Sequence, residues 1–281
     1  MFEKYLGNRF LTLYVIPFTI GSLTILSFEP FNFTLINLII FPLFFYLLVY
    51  INKKSKAIYR KKPYKKNLFI FGLMFGFGFY LSGISWITNS LTFDENFKFL
   101  IPFALILIPL FLSLFLAFTI LFVGPYLKLD FPSLIIFSAS LSFTDYIRAK
   151  VLTGFPWNLW AYSTTWINEI SQIVNSIGLY AYNLLIITFF TTPVIFFYKI
   201  SLIRKVFNFA FVFTIILSLY IYGNYSINKN NFYLSTINEK IYVKIISPNF
   251  NLEYGLGAKE IEDRFKTVSY THLRAHETYD H

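Results

Sequence analysis

The sequence has no cysteine. This excludes disulfides, thiolate metal ligands and a cysteine nucleophile within these 281 residues. Charge is scarce as well. Charged residues make up 14% of the chain, against roughly 25% in a soluble domain. Acidic residues are the scarcer kind, 14 against 24 Lys plus Arg, which leaves a net charge of +10. All three histidines, His272, His276 and His281, fall at the extreme C-terminal end. His272 and His276 have the i, i+4 spacing of a helical metal site. No fold signal surrounds them, so no metal site and no cofactor is assigned.

What fills the space is apolar. Hydrophobic residues reach 56%, with 37 Phe and 21 Tyr, and mean hydropathy is +0.59. Long apolar runs with few charges mark membrane spans, since about 20 residues cross the hydrocarbon core once. The fold class read from this is an α-helical multi-pass membrane domain. Seven spans are expected, near Phe10–Phe28, Phe31–Ile51, Leu68–Ser90, Phe99–Val123, Phe131–Ile147, Ile170–Tyr198 and Val206–Tyr225. Phe28-Glu29-Pro30-Phe31 breaks the first run and makes a hairpin, with Glu29 at an interface because a carboxylate is costly in hydrocarbon. Gly72 and Gly76 share one face of the third span and allow close helix approach. No small-residue cleavage site follows the first run, so that span reads as retained.

The positive charge lies between the spans. Asn52 to Asn67 holds eight cations and no acid. Tethered to spans at both ends and lacking an RNA-binding signature, it reads as a cytoplasmic loop that meets anionic membrane lipids, with no nucleic-acid partner. With the N-terminus in the cytoplasm, inside segments carry 14 cations and outside loops before residue 226 only Lys98, Arg148 and Lys150. This asymmetry orients the domain and puts residues after 226 on the outer face.

A second break between apolar spans before residue 226 begins with Arg148 to Trp160, RAKVLTGFPWNLW. Asp145 and Arg148 stand three apart at the end of the fifth span and can pair. They read either as an interfacial ion pair anchoring the helix end or as a charge lining a headgroup site. Gly154-Phe155-Pro156-Trp157 reads either as a helix cap with an aromatic anchor or as an interfacial wall for lipid. The candidate substrate-binding residues are therefore Arg148, Gly154, Phe155, Pro156 and Trp157. After Ser226 the composition turns polar. Residues 1–225 form the membrane domain and 226–238 a linker. Residues 239–268 begin an α/β domain, with a strand at Lys240–Ile246 and an amphipathic helix at Lys259–Val268. Glu253, Glu260 and Glu262 read as solvated surface charges. Ser269 to His281, SYTHLRAHETYDH, resembles a translated sequencing-adapter peptide and is excluded from fold reasoning. The natural chain is expected to continue past about Val268.

Several stretches together resemble one family. They are Ser27-Phe28-Glu29-Pro30-Phe31, Phe71-Gly72-Leu73, Trp86-Ile87, Asp145 to Arg148, Tyr162-Ser163, and Gln172 with Gly178 and Tyr180. The most specific is Thr153-Gly154-Phe155-Pro156-Trp157, and Val243 to Asn249 supplies a strand start. With these residues the chain resembles the N-terminal part of bacterial apolipoprotein N-acyltransferases over roughly residues 10 to 268. Ser247 stands where the family usually has Gln, and its Lys-Trp pair is not evident around Glu253 to Gly257. The resemblance implies a bacterial inner-membrane enzyme with a nitrilase-like (carbon-nitrogen hydrolase) domain, a phospholipid acyl donor and an apolipoprotein acceptor. It also implies a Glu base, a Lys that meets the oxyanion and a Cys nucleophile, all after Val268, so no catalytic residue is assigned here. The alternative is a non-catalytic polytopic protein, a transporter or scaffold. Such proteins favour internal repeats and mid-span charges, and the sequence displays neither.

Overall fold

In a computed structural model, the described residues are 8–58, 63–151, 154–237, 250 and 256–269. They are mostly helical, with no strand among them; the expected strand at Lys240–Ile246 and the three histidines lie outside them. Helix α1 runs over Leu11–Ser27, with a π turn at Leu11–Val15 and a 3-10 turn at Thr24–Ser27. The others are α2 (Asn37–Ile58), α3 (Pro63–Ile84), α4 (Ile101–Val123), α5 (Phe131–Arg148), the short α6 (Asn168–Ser171) and α7 (Val174–Ile177), α8 (Leu179–Thr191), α9 (Leu202–Thr236) and α10 (Ala258–Val268).

Five of the described helices, four of them lengthened by their flanking 3-10 turns, are long and apolar enough to cross a membrane: Thr34–Lys54, Tyr64–Thr92, Glu95–Tyr126, Leu179–Phe197 and Leu202–Thr236. The apolar α1 is shorter. Helix α5 buries six polar residues, Ser133, Ser138, Ser142, Thr144, Asp145 and Arg148. The chain is a helical membrane domain.

Successive helices alternate in direction, which gives the bundle two ends. At one, Arg9 Nη2 donates to Asn67 Oδ1 (3.0 Å) and Asn52 Nδ2 donates to the Gly124 and Pro125 carbonyls (3.1 and 3.2 Å). This end carries the basic segment between α2 and α3. At the other, Thr34 Oγ1 donates to the Ser163 carbonyl (2.6 Å) and Ser142 Oγ to the Tyr180 carbonyl (2.7 Å). That end carries the loop after α5.

Helix α3 is the hub. A Cβ at Gly78 would fall on the Phe18 carbonyl and one at Gly21 on the Phe75 carbonyl, so α1 and α3 meet backbone to backbone. Gly72 and Gly76 turn to α4, where a Cβ would crowd Ala117, Ile120 and Ser113. Without a hydrophobic drive between helices in lipid, such close packing is what holds spans together. On its third face α3 enters an aromatic core. Phe44 stacks on Phe75 with centroids 3.9 Å apart, and Trp160 stacks on Phe79 at 4.2 Å while meeting Phe41 edge-on at 5.0 Å.

The structure redraws three expected boundaries. The expected run from Ile170 divides, because Gly178 adopts φ +81° and ends the short turns α6 and α7 before α8 starts at Leu179. The second helix begins at Asn37, after a hairpin with a cis Glu29–Pro30 bond and Asn32 at φ +55°. The last long helix runs on from Tyr225 to Thr236. It holds no Pro or Gly beyond Gly223, and i, i+4 neighbours support it: Asn228 Nδ2 donates to Asn224 Oδ1 (3.4 Å) and Lys229 lies over the Tyr233 ring (5.9 Å). Helix α9 passes the loop end at Gly223, where a Cβ would strike the Glu169 carbonyl, and Ser176 meets Tyr222 at 3.0 Å. Residues 224–236 therefore project beyond the bundle, by roughly 20 Å at 1.5 Å per residue.

The amphipathic helix expected at Lys259–Val268 is α10. Glu260 pairs with Arg264 (3.2 Å) and Glu262 with Lys266 (2.6 Å) along its exposed surface. These are solvated i, i+4 pairs.

Candidate functional site

The loop after α5 is built on a buried charge network. Asp145 and Arg148, one turn apart, are 2% and 1% exposed. Arg148 Nη2 donates to Asp145 Oδ1 (2.9 Å). Arg148 Nη1 donates to two backbone carbonyls of the loop, Phe155 (2.6 Å) and Trp157 (2.8 Å). The guanidinium also lies over the Tyr80 ring of α3, 5.3 Å from its centroid. Asn183 of α8 completes the chain: its Nδ2 donates to Asp145 Oδ2 (2.9 Å), and its Oδ1 accepts from the Ala161 N–H (2.8 Å). One continuous network thus starts on α5 and α8 and holds the loop at residues 155, 157 and 161.

The backbone is shaped to allow this. After Arg148 the chain turns over itself, with Val151 N–H on the Ile147 carbonyl (2.8 Å) and Gly154 N–H on Val151 (3.0 Å). Gly154 has φ +78°, and a Cβ there would meet the Ala149 carbonyl oxygen. Glycine is the residue that tolerates both. Phe155 N–H then returns to the Arg148 carbonyl (3.1 Å), which closes the loop around its own arginine. Asn158, at φ +55°, redirects the chain into the 3-10 turn Trp160–Thr164. There Thr164 Oγ1 lies 2.7 Å from Tyr182 OH, and Trp166 Nε1 donates to Thr34 Oγ1 (2.6 Å).

The outer surface differs in character. Pro156 and Trp157 are exposed, Phe155 is half-buried, and Trp157 has 52% of its surface free. Trp86, from the 3-10 stretch after α3, meets Trp157 edge to face at 5.6 Å, and Phe155 lies 6.5 Å from Trp157. The result is an apolar aromatic patch with a rigid, polar underside.

The five residues singled out from the sequence therefore divide. Arg148 is turned inward and shapes the loop through its carbonyls. Gly154 makes the turn possible. Phe155, Pro156 and Trp157 form the surface. The Asp145–Arg148 pair, read beforehand as interfacial or headgroup-lining, is enclosed by protein, and its charges are balanced there. Asn183 and Tyr80 were not anticipated. The signal for Asn183 was present, because an amide in the middle of an apolar span is costly unless it finds a partner.

The segment containing this loop is also what the chain shares with known proteins. The family model described as the apolipoprotein N-acyltransferase N-terminal domain matches residues 20–192. Among curated relatives, the apolipoprotein N-acyltransferase of Rhodopseudomonas palustris is 30% identical over 182 residues, 64% of this chain and 33% of that protein. The one from Bradyrhizobium diazoefficiens is 28% identical over 180 residues, 64% of this chain and 32% of that protein. The one from Rickettsia bellii is 32% identical over 129 residues, 46% of this chain and 26% of that protein. The chain thus spans about a third of the length of the curated relatives it matches first. Since the match runs from α1 into the 3-10 turn after α8 and includes every member of the Arg148 network, the chain belongs to the apolipoprotein N-acyltransferase family by way of its N-terminal membrane domain.

Proposed function

We propose that this chain is the membrane part of an enzyme that moves an acyl chain from a phospholipid to the N-terminal cysteine amino group of lipoproteins. In that reaction a cysteine thiolate attacks the donor ester, a thioester forms and lysophospholipid leaves. The lipoprotein amine then attacks the thioester and returns the thiolate. Acyl transfer of this kind needs a nucleophile, a proton acceptor and a charge for the tetrahedral intermediate. None of the three is assigned to this chain; in this reading they belong to a nitrilase-like domain that starts near residue 239. The membrane domain spans the bacterial inner membrane seven times, α1 and α5 included, with the N-terminus cytoplasmic and residues after 226 periplasmic.

The observation that carries the reading is the Arg148 network. It fixes the Phe155–Trp157 surface at one end of the bundle, in the segment that matches the family. Phe155, Pro156 and Trp157 form a wall for the acyl donor or for the catalytic domain. Arg148 and Gly154 serve substrate binding by holding that wall in shape. Aromatic rings at this depth suit the membrane–water boundary.

The test is acyl transfer from phospholipid to a diacylated lipopeptide. The expected result is no transfer by the purified 281-residue chain, and transfer once the chain is fused to the C-terminal remainder of a relative. Transfer by the chain alone would overturn the reading, as would an inactive fusion in which the relative's own membrane domain works.

A further inference from the structure

At the basic end of the bundle, away from the loop, a recess of about 380 Å³ opens between the start of α5 and the turn joining α8 to α9. Its polar groups are Asp130, Tyr198, Arg204 and Asn208. Tyr198 is 2% exposed, yet among the described residues its hydroxyl has no hydrogen-bond partner. A buried hydroxyl without a partner is unfavourable unless something else supplies one. Burial holds this phenol above its ordinary range, and the nearby Asp130 carboxylate adds to the effect, so at neutral pH it is a donor.

Asp130 uses one oxygen to cap α5, accepting from the Ser133 N–H (2.9 Å). Among the described residues its second oxygen has no such bond. Arg204, exposed, lines the same recess, and among the described residues it forms no ion pair with Asp130. Opposite charges that share a recess without meeting suit a ligand that carries both signs.

We propose that this recess binds the headgroup of a zwitterionic amino-phospholipid, with the phosphate on Arg204 and the Tyr198 hydroxyl and the ammonium on Asp130. The lipid, and not a soluble phosphate ester, is the occupant. The rest of the wall is apolar, Phe131, Pro132, Ile200, Ile203 and Phe207, and Ile203 and Phe207 are 82% and 70% exposed, continuing the recess onto the apolar outer face of α9. The first methylenes of an acyl chain fit there. The site is independent of acyl transfer, because it lies at the opposite end of the bundle from the Trp157 surface and is read by binding alone.

The experiment titrates the purified chain in non-ionic detergent with phosphatidylethanolamine and phosphatidylglycerol and reads bound lipid by native mass spectrometry. A charge-assisted contact made by only one of the two lipids gives an expected preference of about tenfold for phosphatidylethanolamine. Asp130→Asn keeps a good helix cap and is expected to bring the two lipids to about equal affinity. Arg204→Gln weakens both lipids by about tenfold, and Tyr198→Phe by several-fold. Lys199→Gln, an exposed cation of the same turn, leaves both unchanged.

An unchanged preference in Asp130→Asn overturns the proposal. Equal losses in Lys199→Gln and Arg204→Gln do so too, since they indicate diffuse charge. Displacement of the lipid by equimolar glycerophosphoethanolamine removes the lipid commitment. If Asp130→Asn does not fold, Tyr198→Phe decides, because it deletes one oxygen, and full binding by that variant also overturns the site.

Discussion

Trp86 and Trp157 meet edge to face with ring centroids 5.6 Å apart, one following α3 and the other in the loop after α5. Each keeps about half its surface free, 50% and 52%. The pair joins the hub helix to the loop on the outside, as Arg148 over Tyr80 joins them on the inside. A double-mutant cycle, Trp86→Ala against Trp157→Ala, is expected to give a coupling of about 0.5–1.5 kcal/mol. Thermal unfolding in detergent measures it. Additive single losses would show that the rings touch without supporting each other.

In the active fusion, Trp157→Ala is expected to lower acyl transfer several-fold while membrane insertion and thermal midpoint stay near wild type. Steady-state rates across donor concentrations locate the effect. A loss seen mainly as a raised KM points to donor binding, and an equal fall in kcat points to docking of the catalytic domain. Unchanged rates would assign the ring to anchoring alone.

Arg148 is expected to resist substitution. Arg148→Met leaves Asp145 buried without its cation and strips donors from the Phe155 and Trp157 carbonyls, a loss of roughly 3–5 kcal/mol. Arg148→Lys keeps the charge but loses the planar fork that reaches Asp145 and both carbonyls at once. It should recover less than half of the loss. Asn183→Leu removes a donor and an acceptor from the same network and is expected to cost about 1–3 kcal/mol. Equal stability of all three variants would mean that the network is incidental.

Gly154→Ala should strain the turn, since φ +78° and the Ala149 carbonyl both oppose a Cβ. The expected cost is about 1–3 kcal/mol. Gly257→Ala is the control, because among the described residues nothing lies within 4 Å of its Cβ position and its φ is −68°. The two melting curves, compared in one detergent, decide the matter.

Orientation is open to direct measurement. Because these 281 residues hold no cysteine, single cysteines introduced into this chain report cleanly. A cysteine at Lys150 or Ser226 should react with an impermeant maleimide on intact spheroplasts. One at Lys54 should react only after lysis. The opposite pattern would invert the topology.

Much of this was legible in the sequence, and the misses have physical causes. Apolar runs marked α1 to α4 because a membrane span is written in composition. The glycines of α3 announced close packing because only the smallest side chain permits it. The Ile170–Tyr198 run hid its break, since Gly178 is a common residue in spans and its φ cannot be read from neighbours. The extension of α9 was hidden by asparagines, which usually mark turns. The arginine was noticed but its role was not. Its partners are two backbone carbonyls, and a carbonyl has no identity in a sequence.

The overhang of α9 has a rotational consequence. A flexible tether would pass on only a distance, whereas residues 224–236 as helix pass on an angle too. One residue inserted there turns the helix end at Thr236 by about 100° and lifts it by about 1.5 Å, and only near four insertions does the original facing return. Insertions of one to four residues in the active fusion are expected to make activity fall and then recover in phase with the helical repeat, the behaviour of a crankshaft whose throw is set by residue count; a steady fall with length would show that the angle is not passed on.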